Sequence, residues 1–116
     1  MIMSSAEKLG VQCIAKEFQP YYVNLFGPII QPFTDSSILN QVIHAMMREI
    51  DILQDEGNPI GSFHQHQGII RRIAIAALFQ QSPQEGFQSF ENQTFEIQLF
   101  LMNLAIFVLR VLTRGS

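Results

Sequence analysis

The sequence predicts an all-α protein, a compact four- to five-helix bundle whose long C-terminal helix is either central or at a dimer interface. Three observations carry this reading. Apolar residues recur at the 3.6-residue helical period along most of the chain. The most strand-like stretch, Ile97 to Leu112, is far longer than an ordinary strand. Interruptions of the pattern fall on residues that start or stop helices. A chain of 116 residues is long enough to bury one core without disulfides or metals and too short for two ordinary domains, so residues 1–116 form a single domain. Helices are expected at about 4–19, 20–26, 35–56, 62–81 and 83–114.

The first helix starts at a capping box, Ser4 followed by Glu7, in which each side chain satisfies a free backbone N–H. Leu9, Cys13 or Ile14, and Phe18 follow an i, i+4 pattern, and Pro20 then removes a donor and kinks or restarts the chain. Tyr21 to Phe26 forms a short helix beyond it. Gly27-Pro28 and Pro32 exclude regular structure up to about Thr34, leaving an apolar linker that holds Ile29, Ile30 and Phe33.

The second long helix is capped by Thr34, Asp35 or Ser36, and Ile38, Leu39, Val42, Met46, Ile50 and Leu53 mark its inner face. It stops at Gly57, before Asn58-Pro59. Asp51, Asp55 and Glu56 lie near its C-terminal end, where the macrodipole disfavours them by a few tenths of a kcal/mol each. Screening by water, or a partner's basic groups, relieves that cost. Ser62 caps a third helix through Phe63, Ile70, Ile73, Ala74, Ala77 and Leu78, with Ile69 and Ile75 widening the stripe and Gly68 weakening its first half.

Ser82-Pro83-Gln84-Glu85 combines a Ser cap, a proline at the first helical position and an acid at the third, which starts the last helix. Its seam is Phe87, Phe90, Ile97, Leu101, Leu104, Val108 and Val111, with a gap at Thr94. A break near Asn92 is the alternative, but because the phase persists across it one helix to about Arg114 is expected, ended by Gly115. From Phe95 to Leu112 the other faces are apolar too, through Leu99, Phe100, Met102, Ala105, Ile106, Phe107 and Leu109. A helix apolar all round is buried all round. A small bundle leaves one side of each helix wet, so a second protein surface is expected to cover this one.

Composition narrows the function. Seventeen charged side chains, seven basic and ten acidic, are about a dozen fewer than an average domain of this length carries. Thirteen glutamines stand in their place, either as a surface that is cheap to desolvate or as compositional drift. A net charge of −3 without a Lys/Arg block excludes an electrostatic footprint for nucleic acid. The uncharged run Ile97 to Leu109 is thirteen residues, short of the ~20 of a bilayer span, so no membrane span is expected. One cysteine and no basic-apolar leader point to the cytoplasm.

No motif carries chemistry. His64 and His66 would point ~200° apart on a helix and could share a metal only if Phe63 to Gln67 is an unwound loop, and nothing completes a metal site around them. His44 reads as a core or boundary histidine, and Cys13 as a small buried hydrophobe. There is no phosphate loop or nucleophile elbow. Arg48, Arg71 and Arg72 are the one basic cluster; of the adjacent pair, one arginine can meet Glu49 or Asp51 while the other projects outward.

The expected function is therefore a non-enzymatic interaction protein without cofactor or metal, such as a regulator, antiactivator, immunity protein or dedicated chaperone, working as a homodimer that buries an apolar helix face against a protein partner. Self-association is assigned to Phe100, Met102, Asn103, Phe107 and Arg110, where Asn103 either bonds locally or pairs with its symmetry mate. Partner binding is assigned to Tyr21, Tyr22, Phe26, Ile29, Ile30 and Phe33. The alternative is a small-molecule or lipid sensor or carrier with an apolar pocket inside the bundle.

Overall fold

Helices follow the apolar period; one ends at Gly57 and another starts after the capping Thr94, whereas Pro20 lies inside a helix. The computed structural model describes residues 5–26, 36–78 and 90–113. Its elements are α1 (Ser5–Phe26), α2 (Ser36–Asp55), a 3-10 helix η1 (Ile60–Gln65), α3 (Gln67–Ala76) and α4 (Phe95–Thr113). All regular structure among the described residues is helical. Helix α4 packs against α1, α2, α3 and η1, while α1 lies on α2 and α2 on α3. The Cα radius of gyration is 13.3 Å, close to the ~13 Å of a compact chain of about 100 residues.

Helix α1 passes through Pro20 without a break, so the expected restart there does not occur. Lys16 and Pro20 are both exposed, which puts the backbone bond that proline forgoes on the solvent side. Water can satisfy the freed carbonyl there. The inner face carries Val11, Ile14, Ala15 and Phe18. Cys13 is exposed, one step round the helix from Ile14, and is not the buried hydrophobe expected of it. Ser4 and the 27–35 linker, with the caps Thr34 and Asp35, lie outside the described residues.

Helix α2 buries Leu39, Val42, Ile43, Met46, Ile50 and Leu53, whereas Ile38 is 42% exposed and leaves the predicted face. Its end is a Schellman motif. The Asn58 N–H donates to the Leu53 carbonyl at 3.2 Å and the Gly57 N–H to the Gln54 carbonyl at 2.9 Å. Gly57 supplies the required left-handed turn at φ 96°. The Asn58 side-chain amide adds a second bond to the Leu53 carbonyl at 3.0 Å.

The predicted single helix over 62–81 is two elements. Ser62 does not cap a helix; its hydroxyl donates to the Pro59 carbonyl at 2.8 Å. Pro59 starts the tight η1 turn, and His66 is extended at φ −120°, ψ 101°. Phe63, fully buried, anchors η1 as a separate unit before α3 starts. The long final helix is likewise interrupted. Phe90 and Glu91 are helical, Asn92 to Thr94 are not, and α4 begins at Phe95. Thr94 is the reason. Its Oγ1 accepts the Ile97 N–H at 3.4 Å, a side-chain cap that restarts the helix in the same phase. The start signal at Ser82-Pro83 and the residue Phe87 lie outside the described residues.

Candidate functional site

Helix α4 divides into two faces. Ile97, Phe100, Leu101, Leu104, Ala105, Val108 and Leu109 are buried, and with Phe90, Ile73 and Phe63 they form the centre of the core. Phe18 of α1 closes one side, its ring centroid 5.9 Å from Phe100 and 5.2 Å from Phe107. The opposite face carries Phe95, 71% exposed, and Leu99, 42% exposed, followed by partly exposed Met102 and Ile106. Steps of four, three and four residues keep these four in one line on a helix turning ~100° per residue.

Polar residues border that line. Glu96 and Arg110 are exposed and Asn103 is partly exposed. Spaced by seven, all three fall on one flank of the stripe. The Asn103 amide nitrogen donates to the Leu99 carbonyl four residues back at 2.8 Å. Among the described residues, neither Glu96 nor Arg110 makes an ion pair.

The start of this face is held by fixed contacts. Gln98 donates to the Phe90 carbonyl at 2.9 Å and the Gln93 carbonyl at 3.4 Å, closing the end of the preceding turn. Arg71 of α3 pairs with Glu91, and its guanidinium lies 5.4 Å from the centre of the Phe90 ring. The cation thus clamps the residues leading into α4. Arg72 takes the other direction. Its Nε reaches Glu49 Oε1 at 2.6 Å and its Nη2 reaches Glu56 Oε1 at 2.9 Å. The hydrogen bond to Glu56, followed by that to Glu49, holds the guanidinium pKa above its usual value against the opposing effect of burial. The internal pair with Glu49 is one of the two expected from sequence, Asp51 being the other. Arg71 does not project outward alone, and Glu56 at the unfavourable end of α2 finds its cation inside the chain.

Comparison with family models, characterised proteins and solved structures finds no match for this chain.

Of the five residues assigned to self-association, Phe100 is fully buried and belongs to the core. Met102, Asn103 and Phe107 are partly exposed and Arg110 is exposed. Phe107 sits at the edge, on Phe18, away from the stripe. Sequence reasoning missed Phe95 and Leu99 as its most exposed members. The signal was present as a second apolar line offset from the stronger seam. Tyr21, Tyr22 and Phe26 lie on the last two turns of α1; their side chains, and Ile29, Ile30 and Phe33, lie outside the described residues.

His44 is buried, as a core histidine should be. His64 and His66 are both exposed, and no group of three potential metal ligands occurs among the described residues. Helix α4 is also long and apolar enough to cross a membrane, with a mean hydropathy of 1.9 over its most apolar window. That length is reached by including Glu96 and Arg110, which flank the uncharged run.

Proposed function

We propose that this chain is a non-enzymatic interaction protein, a regulator, antiactivator, immunity protein or dedicated chaperone in type, whose α4 outer face is covered by another protein surface. The observation that carries this is the line of exposed Phe95 and Leu99 and partly exposed Met102 and Ile106 on a helix whose other side is already committed to the core. An apolar patch of a few hundred Å² is ordinary in size for a monomer, and such a patch is often functional. Covering about 250–300 Å² of apolar surface on such a face contributes roughly 7 kcal/mol. A matching face on the partner doubles it to about 14 kcal/mol, towards the upper end of the ~4–15 kcal/mol lost on association.

A protein fits this face better than lipid does. Insertion of α4 into a bilayer would strip seven buried residues of their contacts with α1, α2 and α3. An interfacial helix needs a basic polar face, and here the flank carries one acid, one amide and one base. The reading includes action in the cytoplasm without cofactor or metal, where a lone exposed thiol stays reduced. A photo-crosslinking residue at Leu99, compared with one at exposed Gln41, tests it in producing cells. Protein adducts from position 99 and not from 41 are expected; adducts to lipid alone, or none, overturn the reading.

A further inference from the structure

The polar flank of the stripe says what covers it. Glu96 and Arg110 lie seven residues to either side of Asn103, and all three occupy the same position relative to the apolar line. When two helices pack antiparallel, residues at equivalent flanking positions of the two chains meet; when they pack parallel, opposite flanks meet. A helix with an acid and a base placed equally far from a central amide is therefore complementary to itself in the antiparallel arrangement.

We propose that the occupant of the α4 outer face is a second copy of this chain, crossing antiparallel about a two-fold axis at Asn103. The inference rests on the reading of that face as a protein-binding surface. In this arrangement Glu96 of each copy faces Arg110 of the other, so these two exposed charges of α4, neither of which makes an ion pair among the described residues, find opposite partners at both ends. The two Asn103 residues meet at the axis, each with its amide nitrogen on the Leu99 carbonyl of its own helix and its amide oxygen left to face the other copy. Leu99 and Ile106 of one copy lie against Ile106 and Leu99 of the other, with Phe95 closing each end. The parallel alternative sets Glu96 against the flank of Gln98, Ala105 and Leu112, leaves both charges without a counterpart, and aligns two helix dipoles unfavourably.

The test uses charge reversal and a distance. Sedimentation equilibrium is run on the native chain, Glu96→Arg, Arg110→Glu and the double variant, with far-UV circular dichroism to confirm that each folds. Either single reversal sets like charges opposite each other twice per dimer and is expected to weaken self-association at least ten-fold, while the double variant returns to within about three-fold. A nitroxide on Thr113→Cys in a Cys13→Ser background reads the orientation. Antiparallel copies separate the labels by roughly 30 Å along the axis, and parallel copies bring them to the ~10 Å spacing of packed helices. Single reversals that leave association unchanged, or a short label distance, overturn the antiparallel geometry while leaving the surface reading intact. A native chain that stays monomeric, with position 99 crosslinking to a different protein, overturns the second copy as occupant and again spares the surface. If position 99 yields no protein adduct, both fail.

Discussion

Replacing Phe95 by alanine separates association from folding. Phe95 is the first residue of α4, directly after the Thr94 cap, and 71% of it is exposed. Burying a phenylalanine fully is worth ~2–3 kcal/mol, so the part still open to water accounts for about 1.5–2 kcal/mol per copy. A two-fold dimer contains the residue twice, and the loss comes to about 3–4 kcal/mol, a 100- to 1000-fold weaker dimer. The folded monomer loses little, because alanine is a better helix former and the buried remainder of the ring is small; its stability is expected to change by less than about 0.5 kcal/mol. Sedimentation equilibrium over a concentration series measures the first quantity, and urea unfolding at a concentration where the chain is monomeric measures the second. A dissociation constant unchanged within three-fold refutes the placement of Phe95 in the interface. A drop of 2 kcal/mol or more in monomer stability refutes the division of α4 into two faces.

Three further substitutions probe the framework behind that face. Arg72→Met leaves Glu49, whose side chain is 8% exposed, without its cation; breaking a fully buried pair costs ~3–5 kcal/mol. With Arg72 itself 44% exposed, water reaches the gap and about 1–2 kcal/mol is expected, read as a Tm lower by roughly 5–10 °C. Because the folded-state pKa of Arg72 is raised, its contribution is fully present below the unfolded value and is lost only as pH rises through the folded one. The Arg72 contribution, obtained by subtracting the variant's stability from the native chain's, should therefore stay level in urea titrations between about pH 6 and 9; a steady fall across that range contradicts the assignment. Gly57→Ala places a Cβ in open space but in a left-handed turn, so only backbone strain is added, about 1 kcal/mol in chemical denaturation; a neutral result would mean the turn is not left-handed in solution. Phe18→Ala removes the ring shared by Phe100 and Phe107 and should destabilise by about 3–5 kcal/mol in urea, with a loss below 1 kcal/mol showing that α1 does not pack on α4 this way.

The inner faces were legible because their periodicity is set by side chains that have nowhere else to go. Ile73, Ala74, Leu101, Leu104 and Val108 are buried as their spacing predicts, and Gly57-Asn58-Pro59 ends α2 where it should. The breaks were only partly legible. Asn92 and the gap at Thr94 mark a candidate break, but Phe90 and Ile97 are seven residues apart and stay in phase even though Asn92 to Thr94 leave the helix, so the period favours one helix. At His66 no residue forbids a helix; burial of Phe63 and the turn begun by Pro59 decide it, and both act through packing. Arg71 illustrates the same limit. Adjacency to Arg72 shows that the two point apart, but its partners Glu91 and Phe90 lie on another segment. On α4, where nearly every position is apolar, composition could not say which line faces inward. Phe100 was assigned outward for that reason, and Phe95 and Leu99 were passed over.

The shortage of charge and the placement of the charges that remain are one feature. Ile97 to Leu109 holds thirteen uncharged residues, of which seven serve the core. The core alone requires only an inward arc, and a helix used once keeps Lys and Glu on its outer side. Here the outer side holds Leu99, Met102 and Ile106 within that run, and the run ends at Glu96 on one side and Arg110 on the other. Both charges fall on the flank of the outer line. A helix selected only to fill a core has no reason to space an acid, an amide and a base by seven residues on its exposed side. A helix selected for a bilayer has reason to move such charges beyond its ends, yet Glu96 and Arg110 stand only ~21 Å apart along the axis, inside the ~30 Å hydrocarbon thickness. Under the proposed antiparallel pairing this spacing has a use, because the pair of charges then disfavours the parallel arrangement that the apolar line by itself would accept.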